Sequence, residues 1–139
     1  MKKIFLALLV FCFTASYGFC VTMNSYDSYS RKTGSYVTNG TTTRSYDSHG
    51  RNTGTIKETS SGYKTYDNYG RKTSTVKRTP SGYAKYDNSG RRTETYRTQS
   101  NGKTSIYDNY GRNTGSYKKD SNGRITKYDS YGRKVGSFR

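Results

Sequence analysis

The chain has 139 residues, with 25 Lys plus Arg against 9 Asp plus Glu, and a formal net charge of +16. Only 29% of its residues are hydrophobic, whereas Tyr occurs 16 times and Trp is absent. No Leu occurs beyond Leu9, so the chain lacks the aliphatic side chains of an ordinary globular core. Any fold must therefore depend on tyrosine packing and backbone pairing, and the composition leaves disorder without a partner as the alternative.

The first eighteen residues have the pattern of a secretory signal peptide. A basic start at Lys2 and Lys3 precedes an apolar run from Ile4 to Phe13, and small residues follow up to Gly18. The apolar run is too short to cross a bilayer, which takes roughly twenty residues. The sequence thus predicts a signal peptide over 1–18, a short segment over 19–25, and a mature chain without a transmembrane segment. We expect export to the periplasm, the cell surface or the medium.

A repeat of 20 or 21 residues fills the rest of the chain, 26–139. Each repeat begins with Tyr-Asp, and Arg follows four residues after the Asp. Gly precedes that Arg in five of the six repeats, and Ser30 takes its place in the first. Self-similarity at a fixed period predicts one repeat domain. The six repeats begin at Tyr26-Asp27, Tyr46-Asp47, Tyr66-Asp67, Tyr86-Asp87, Tyr107-Asp108 and Tyr128-Asp129.

The pattern Tyr-Asp-x-x-Gly-Arg-x-Thr resembles the YD repeat of the Rhs and teneurin-like families. The resemblance implies antiparallel strand pairs, which in those families spiral into a large shell, often around a toxin. Six repeats are too few for such a shell, and the residue after the Arg is polar here where the family has an apolar one. The delivery function is therefore not expected. The chain is also similar, more weakly, to cell-wall-binding and glucan-binding repeats, which are rich in Trp.

Two turn signals alternate within each repeat, about ten residues apart. In the first, Asp-x-x-Gly, the Asp side chain bonds the turn backbone and the Gly takes a positive φ. The second contains Gly after Asn or Ser, as at Asn39-Gly40 and Asn101-Gly102. The fold class predicted is all-β: an antiparallel meander of about twelve short strands in a single-layer or partly rolled sheet, with a β-solenoid as the alternative. The predicted structural turn residues are Asp47, Gly50, Asp67, Gly70, Asp87, Gly90, Asp108, Gly111, Asp129 and Gly132.

Alternation along the strands divides the residues between two faces. With three-residue loops at both turns, Val76 would pair with Tyr86, which places the repeat tyrosines on one face with an apolar stripe. We expect this face to be packed, and its stripe consists of Tyr36, Ile56, Val76, Tyr96, Tyr117 and Phe138. The other face is polar and basic. Its candidate polyanion-binding residues are Arg51, Lys57, Arg71, Lys77, Arg91, Arg97, Arg112 and Lys118.

The side chains that carry catalysis are scarce, since the chain has one His and six of its nine acids belong to the turns. We therefore predict no enzyme, no cofactor and no metal. The cationic surplus favours an anionic polysaccharide, lipopolysaccharide or extracellular nucleic acid as the partner. Three alternatives stay open. The charge only keeps the sheet soluble, the protein is a structural module that self-associates through its sheet edges, or it is a cell-wall-binding repeat module.

Overall fold

The structure is a computed structural model and describes residues 20–139, so the predicted signal peptide lies outside the described residues. This part of the chain contains strands and turns, and it has no helix that could span a membrane. The twelve strands are β1 Val21–Asp27, β2 Lys32–Asn39, β3 Thr42–Asp47, β4 Asn52–Thr59, β5 Gly62–Asp67, β6 Lys72–Thr79, β7 Gly82–Tyr86, β8 Arg92–Thr98, β9 Lys103–Asp108, β10 Asn113–Lys119, β11 Ile125–Asp129 and β12 Lys134–Phe138.

Each strand pairs antiparallel with its neighbours in sequence, and β1 also pairs with β12, where Ser25 lies opposite Phe138. The sheet is therefore a closed barrel. The predicted all-β class with about twelve antiparallel strands is confirmed, but the single-layer or partly rolled sheet and the solenoid are wrong. A single sheet needs a second layer to bury one face, and rolling up until β1 meets β12 supplies that cover from the sheet itself.

The turns within the repeats, which follow Tyr-Asp, lie at one end of the barrel, and the loops between the hairpins that they form lie at the other. The six turns that follow Tyr-Asp join β1 to β2, β3 to β4 and so on, so they lie at one end, which we call the Asp-turn end. Five of them are Asp-x-x-Gly, and the first has Ser30 in place of Gly. One more Asp-x-x-Gly sequence, Asp120 to Gly123, forms the same backbone turn at the other end, between β10 and β11. At the other end the 20-residue repeats have two-residue loops, with Thr59 opposite Gly62. The 21-residue repeats have three-residue loops, in which Gln99 N donates to Lys103 O at 2.8 Å. The extra residue thus lies in a loop and leaves the strand faces unchanged.

The predicted register between the strands is wrong by one residue. Val76 lies opposite Lys85, and Tyr86 lies opposite Thr75. One cause is the two-residue loop before Gly82. The other is a β-bulge beside each of the six turns at the Asp-turn end, such as that between Thr65 and Tyr66. A bulge adds one residue to one strand and so reverses the alternation beyond it. The repeat tyrosines therefore lie on the outside of the barrel, on the opposite face from the apolar stripe.

The apolar stripe itself fills the barrel interior. Its six members are buried, from 8% exposed for Tyr36 to 0% for Tyr96 and Tyr117. Tyr63, Ile106 and Ile125 complete the buried core. An eight-stranded barrel is just wide enough for ordinary side chains to fill, so twelve strands enclose a wider space. Large rings fill that space, which explains how a chain so poor in aliphatic residues has a packed core.

An acid and a cation from neighbouring repeats pair inside the barrel. Glu94, only 7% exposed, accepts a hydrogen bond of 2.5 Å from the hydroxyl of Tyr96 and lies 3.5 Å from Lys85 Nζ. A buried carboxylate is tolerated when it is paired and hydrogen-bonded, and both conditions hold here. The sequence pattern did not reveal this pair, because the same position is Gly54 or Ser74 in neighbouring repeats.

The closing pair of strands gives a direct test of the barrel. The ring of Phe138 on β12 is 2% exposed and its centroid lies 6.2 Å from that of Tyr36. Phe138→Ala should lower the free energy of unfolding by about 3–5 kcal/mol, because it leaves a cavity in the core. Val135→Ala on the same strand removes a side chain that is 41% exposed and should cost less than about 1 kcal/mol. Equal urea midpoints for the two variants would contradict the closed core.

Candidate functional site

Each Asp-x-x-Gly turn is a self-contained hydrogen-bonded unit. In the second repeat, Asp47 Oδ1 accepts from the backbone N–H groups of His49 and Arg51, both at 2.9 Å. Asp47 Oδ2 accepts from Arg51 Nε at 2.7 Å. Gly50 has φ 77° and donates its N–H to Asp47 O at 3.1 Å. The other five turns repeat these bonds, so the sequence Asp-x-x-Gly-Arg specifies the turn locally.

The same bonds lower the pKa of all six turn aspartates. For Asp27, Asp47, Asp87 and Asp129 the largest cause is the backbone hydrogen bond from the turn arginine, and its guanidinium acts in the same direction. For Asp67 and Asp108 the largest single effect is desolvation, which raises the pKa, but the hydrogen bonds from the turn outweigh it. The turns are therefore more stable with the carboxylates ionised.

The turn arginines form one of the two predicted rows of cations, and the structure places that row at the Asp-turn end. Their side chains are exposed, between 74% and 81%, although each bonds its turn aspartate. Each positive charge in this row is therefore partly neutralised by a turn aspartate, as the turn sequence predicts. This row contains the predicted residues Arg51, Arg71, Arg91 and Arg112.

The other predicted row lies on the outer face of β4, β6, β8 and β10, about 20 Å further along the strands. Its four side chains are exposed, and within residues 20–139 none of them forms an ion pair. Three lie over the ring of a repeat tyrosine on the next strand, at 4.9 to 5.5 Å from its centroid. We call this row the outer belt; it consists of Lys57, Lys77, Arg97 and Lys118.

Two further lysines belong to this surface and were missed from the sequence. Lys64 lies directly opposite Lys57, and Lys103 lies directly opposite Lys118. Like charges in directly opposite positions of an antiparallel sheet repel each other. The correct register is needed to find them, because a shift of one residue moves either member of the pair to the other face.

The acids of the chain do not neutralise this surface. Eight of the nine acidic side chains already form ion pairs elsewhere: six in the Asp turns, Glu58 with Arg78, and Glu94 with Lys85. The ninth, Asp120, accepts the backbone N–H of Arg124 at 2.8 Å in a loop. The outer belt therefore carries concentrated positive charge for which the described chain supplies no counter-charge.

Comparison with known proteins does not assign this surface to a family. No protein-family model matches the chain, and no curated protein has a similar sequence. The functional argument therefore rests on the geometry and charge of the barrel.

The positive φ of the turn Gly can be tested with a reciprocal pair of variants. Ser30 replaces this Gly in the first turn and has φ 65°, whereas Gly111 has φ 81° with no atom within 4 Å of an added Cβ. Gly111→Val should lower the free energy of unfolding by roughly 1–3 kcal/mol through backbone strain alone. Ser30→Gly should raise it by up to about 1 kcal/mol. Urea unfolding checks both, and an unchanged or raised midpoint for Gly111→Val would refute the turn conformation.

The lowered pKa values predict acid sensitivity. A carboxyl whose pKa is lower in the folded chain contributes stability above its unfolded pKa of about 4, and that contribution is lost as pH falls through the folded value. The urea midpoint should therefore decrease from about pH 5 to pH 2. Asp108→Asn should reduce the size of that decrease, because one titrating group is removed. A midpoint that is constant over this range would mean that the turn bonds do not stabilise the fold.

Proposed function

We propose that this chain is an exported, non-enzymatic YD-repeat protein that binds anionic polymers on the outside of its barrel. The partners proposed are an anionic polysaccharide, lipopolysaccharide or extracellular nucleic acid. The observation that carries the proposal is the outer belt: exposed cations without an ion pair, two of which face a second lysine. The basic start and short apolar run of the sequence are the support for export, and the six Tyr-Asp repeats are the support for the family.

The like-charge pairs favour binding over a merely solubilising role. Lys57 and Lys64 repel each other, as do Lys103 and Lys118, so the barrel loses stability by keeping them opposite one another. Solubility alone is served equally well by charges that are scattered around the barrel. A bound polyanion would supply the missing negative charge and release its condensed counterions, which favours association.

The repeat tyrosines support the same proposal by positioning the cations. Lys57 Nζ lies 5.5 Å from the ring centroid of Tyr66, Lys77 Nζ lies 5.3 Å from that of Tyr86, and Arg97 Cζ lies 4.9 Å from that of Tyr107. A cation over an aromatic face is attracted by the ring quadrupole, which restricts a long flexible side chain. Positioned cations lose less conformational freedom when they bind a ligand.

Closure of the barrel disfavours the assembly alternative. Within residues 20–139 both outermost strands of the meander, β1 and β12, are paired with each other. Self-association through sheet edges would require this pairing to open. The binding proposal needs no such change, because the outer belt is exposed in the closed barrel.

The decisive variant replaces Lys57, Lys77, Arg97 and Lys118 together by Ser. With a DNA duplex as the probe, each lost phosphate contact should reduce the dependence of log affinity on log salt by about 0.9, so the slope should fall by about 3 to 4. Affinity at about 50 mM salt should also fall, by tenfold or more. Fluorescence anisotropy over a salt series measures both, with heparin and lipopolysaccharide as further probes.

A matched control removes the same amount of charge from another part of the barrel. Four exposed cations directly follow a turn arginine: Lys32, Lys72, Arg92 and Lys134. Replacing these four by Ser lowers the net charge equally but leaves the outer belt intact, so it should reduce affinity much less. Equal losses in the two fourfold variants would show that only net charge matters. No loss for the belt variant with any probe would refute the binding proposal.

A further inference from the structure

Closure of the barrel creates a second surface at the Asp-turn end that the linear sequence does not show. Because β12 pairs with β1, the last turn of the chain lies beside the first. Four turns carry Tyr two residues before the arginine, whereas the second and fourth carry His49 and Ser89. The fifth, sixth and first turns are therefore consecutive around the end and all contain Tyr. We call them the tyrosine-arginine arc: Tyr110 with Arg112, Tyr131 with Arg133, and Tyr29 with Arg31.

The three pairs of the arc have the same geometry. Each guanidinium carbon lies 5.2 Å from the centroid of its tyrosine ring. The tyrosines are exposed, 80% for Tyr29, 77% for Tyr110 and 83% for Tyr131, so a large part of each ring meets solvent. Large exposed aromatic side chains are uncommon on a soluble surface that has no partner, particularly when several are adjacent.

The arginines of the arc are oriented before any ligand binds. In each, Nε donates to the turn aspartate at 2.7 to 2.8 Å, and the guanidinium carbon lies over the tyrosine ring, 5.2 Å from its centroid. Each of these three arginines pairs with its aspartate through Nε, and its two terminal amino groups form a planar pair of donors. Such a planar pair of donors fits a carboxylate, which it binds in bidentate fashion. Each turn therefore offers an aromatic face beside a carboxylate-binding group.

The distance between adjacent turns indicates which kind of anionic polymer fits the arc. Adjacent Asp turns are two strands apart, roughly 9.6 Å, which is close to the length of one disaccharide unit. Nucleic acid carries its charges far more densely, one per about 3.4 Å along each strand of a duplex, so its phosphates do not match the arc one to one. A polysaccharide with one carboxylate per disaccharide provides both a sugar face for each ring and an anion for each arginine.

We propose that the tyrosine-arginine arc binds a polysaccharide that carries one uronate in each disaccharide. Each tyrosine stacks on a sugar ring and each arginine bonds the carboxylate of the same disaccharide. The inference rests on the proposed function in one respect, that the partner is an anionic polymer. It concerns different residues, however, because no outer-belt side chain belongs to the arc.

The chain supplies a closely matched pair of variants for the test. Tyr131 is the centre of the arc, and Tyr69 has the same contact, 5.2 Å to Arg71, and similar exposure, 78%. Tyr69 differs in its neighbours, since the turns on either side carry His49 and Ser89. Tyr131→Ala and Tyr69→Ala therefore remove the same group with the same local contacts and leave the net charge unchanged. Both rings are exposed, so neither variant should affect the fold.

The probe is a hyaluronan oligosaccharide, in which glucuronate alternates with a neutral amino sugar. Poly-L-glutamate of equal charge tests carboxylates without sugar rings, and oligothymidylate tests single-stranded nucleic acid. Tyr131→Ala should weaken hyaluronan binding about fivefold, Tyr69→Ala less than about twofold, and the triple variant with Tyr29, Tyr110 and Tyr131 replaced by Ala more than about tenfold. Binding of poly-L-glutamate should be unchanged in all three. Titration calorimetry at constant salt measures these affinities.

Three results would overturn the inference. Equal effects of Tyr131→Ala and Tyr69→Ala would show that adjacency in the arc is irrelevant. Wild-type binding of hyaluronan no tighter than that of poly-L-glutamate would show that the rings contribute nothing. A preference for oligothymidylate that the triple variant abolishes would identify a nucleic-acid surface instead.

The outcomes for the arc and the outer belt can be distinguished. The arc variants keep every charge and the belt variants keep every arc tyrosine. Loss of hyaluronan binding in the triple variant, with no loss for any probe in the belt variant, would refute the proposed function through the belt and retain the arc. The reverse pattern would refute the arc alone.

Discussion

A single sheet that has an apolar stripe on one face must bury that stripe against another surface, and the rest of this structure depends on how it does so. The described chain has no helix and no second sheet, so the only surface that can cover the stripe is the sheet itself. The pairing of β1 with β12 completes that cover. It encloses Tyr96, Tyr117 and Phe138, leaves the repeat tyrosines outside, and brings the first and last turns together. The core, the outer belt and the arc all follow from it.

The sequence predicted the local features well because their causes are local. Asp47, Gly50 and Arg51 specify a turn through bonds within five residues, so turn signals at ten-residue intervals were sufficient to predict the number of strands and their antiparallel pairing. The buried stripe followed from the same periodicity, since a residue such as Ile56 recurs as an apolar or aromatic one in every repeat. These predictions needed no knowledge of which strand meets which across the barrel.

The features that the sequence did not predict depend on register and closure. The bulge next to each turn was not predicted, although in four repeats a Gly directly follows the extra residue, as Gly54 does. The outward direction of Tyr66 was therefore missed, and with it the opposition of Lys57 and Lys64. Glu94 occupies an inward position that other repeats fill with small residues, and its partner lies on a neighbouring strand. The adjacency of Tyr29 and Tyr131, about a hundred positions apart in the chain, exists only because the sheet closes. Binding, family and export stay predictions.

The closed ring also limits how this sequence can change its number of repeats. In an open array a repeat that is gained or lost alters the length, and the remaining units keep their neighbours and their packing. Here each repeat forms a sector of the circumference, so a gain or loss changes the curvature of every strand pair and the volume that the central rings must fill. We infer that duplications and deletions in such a chain are selected together with changes in the size of the interior residues. The number of repeats and the composition of the core then change together.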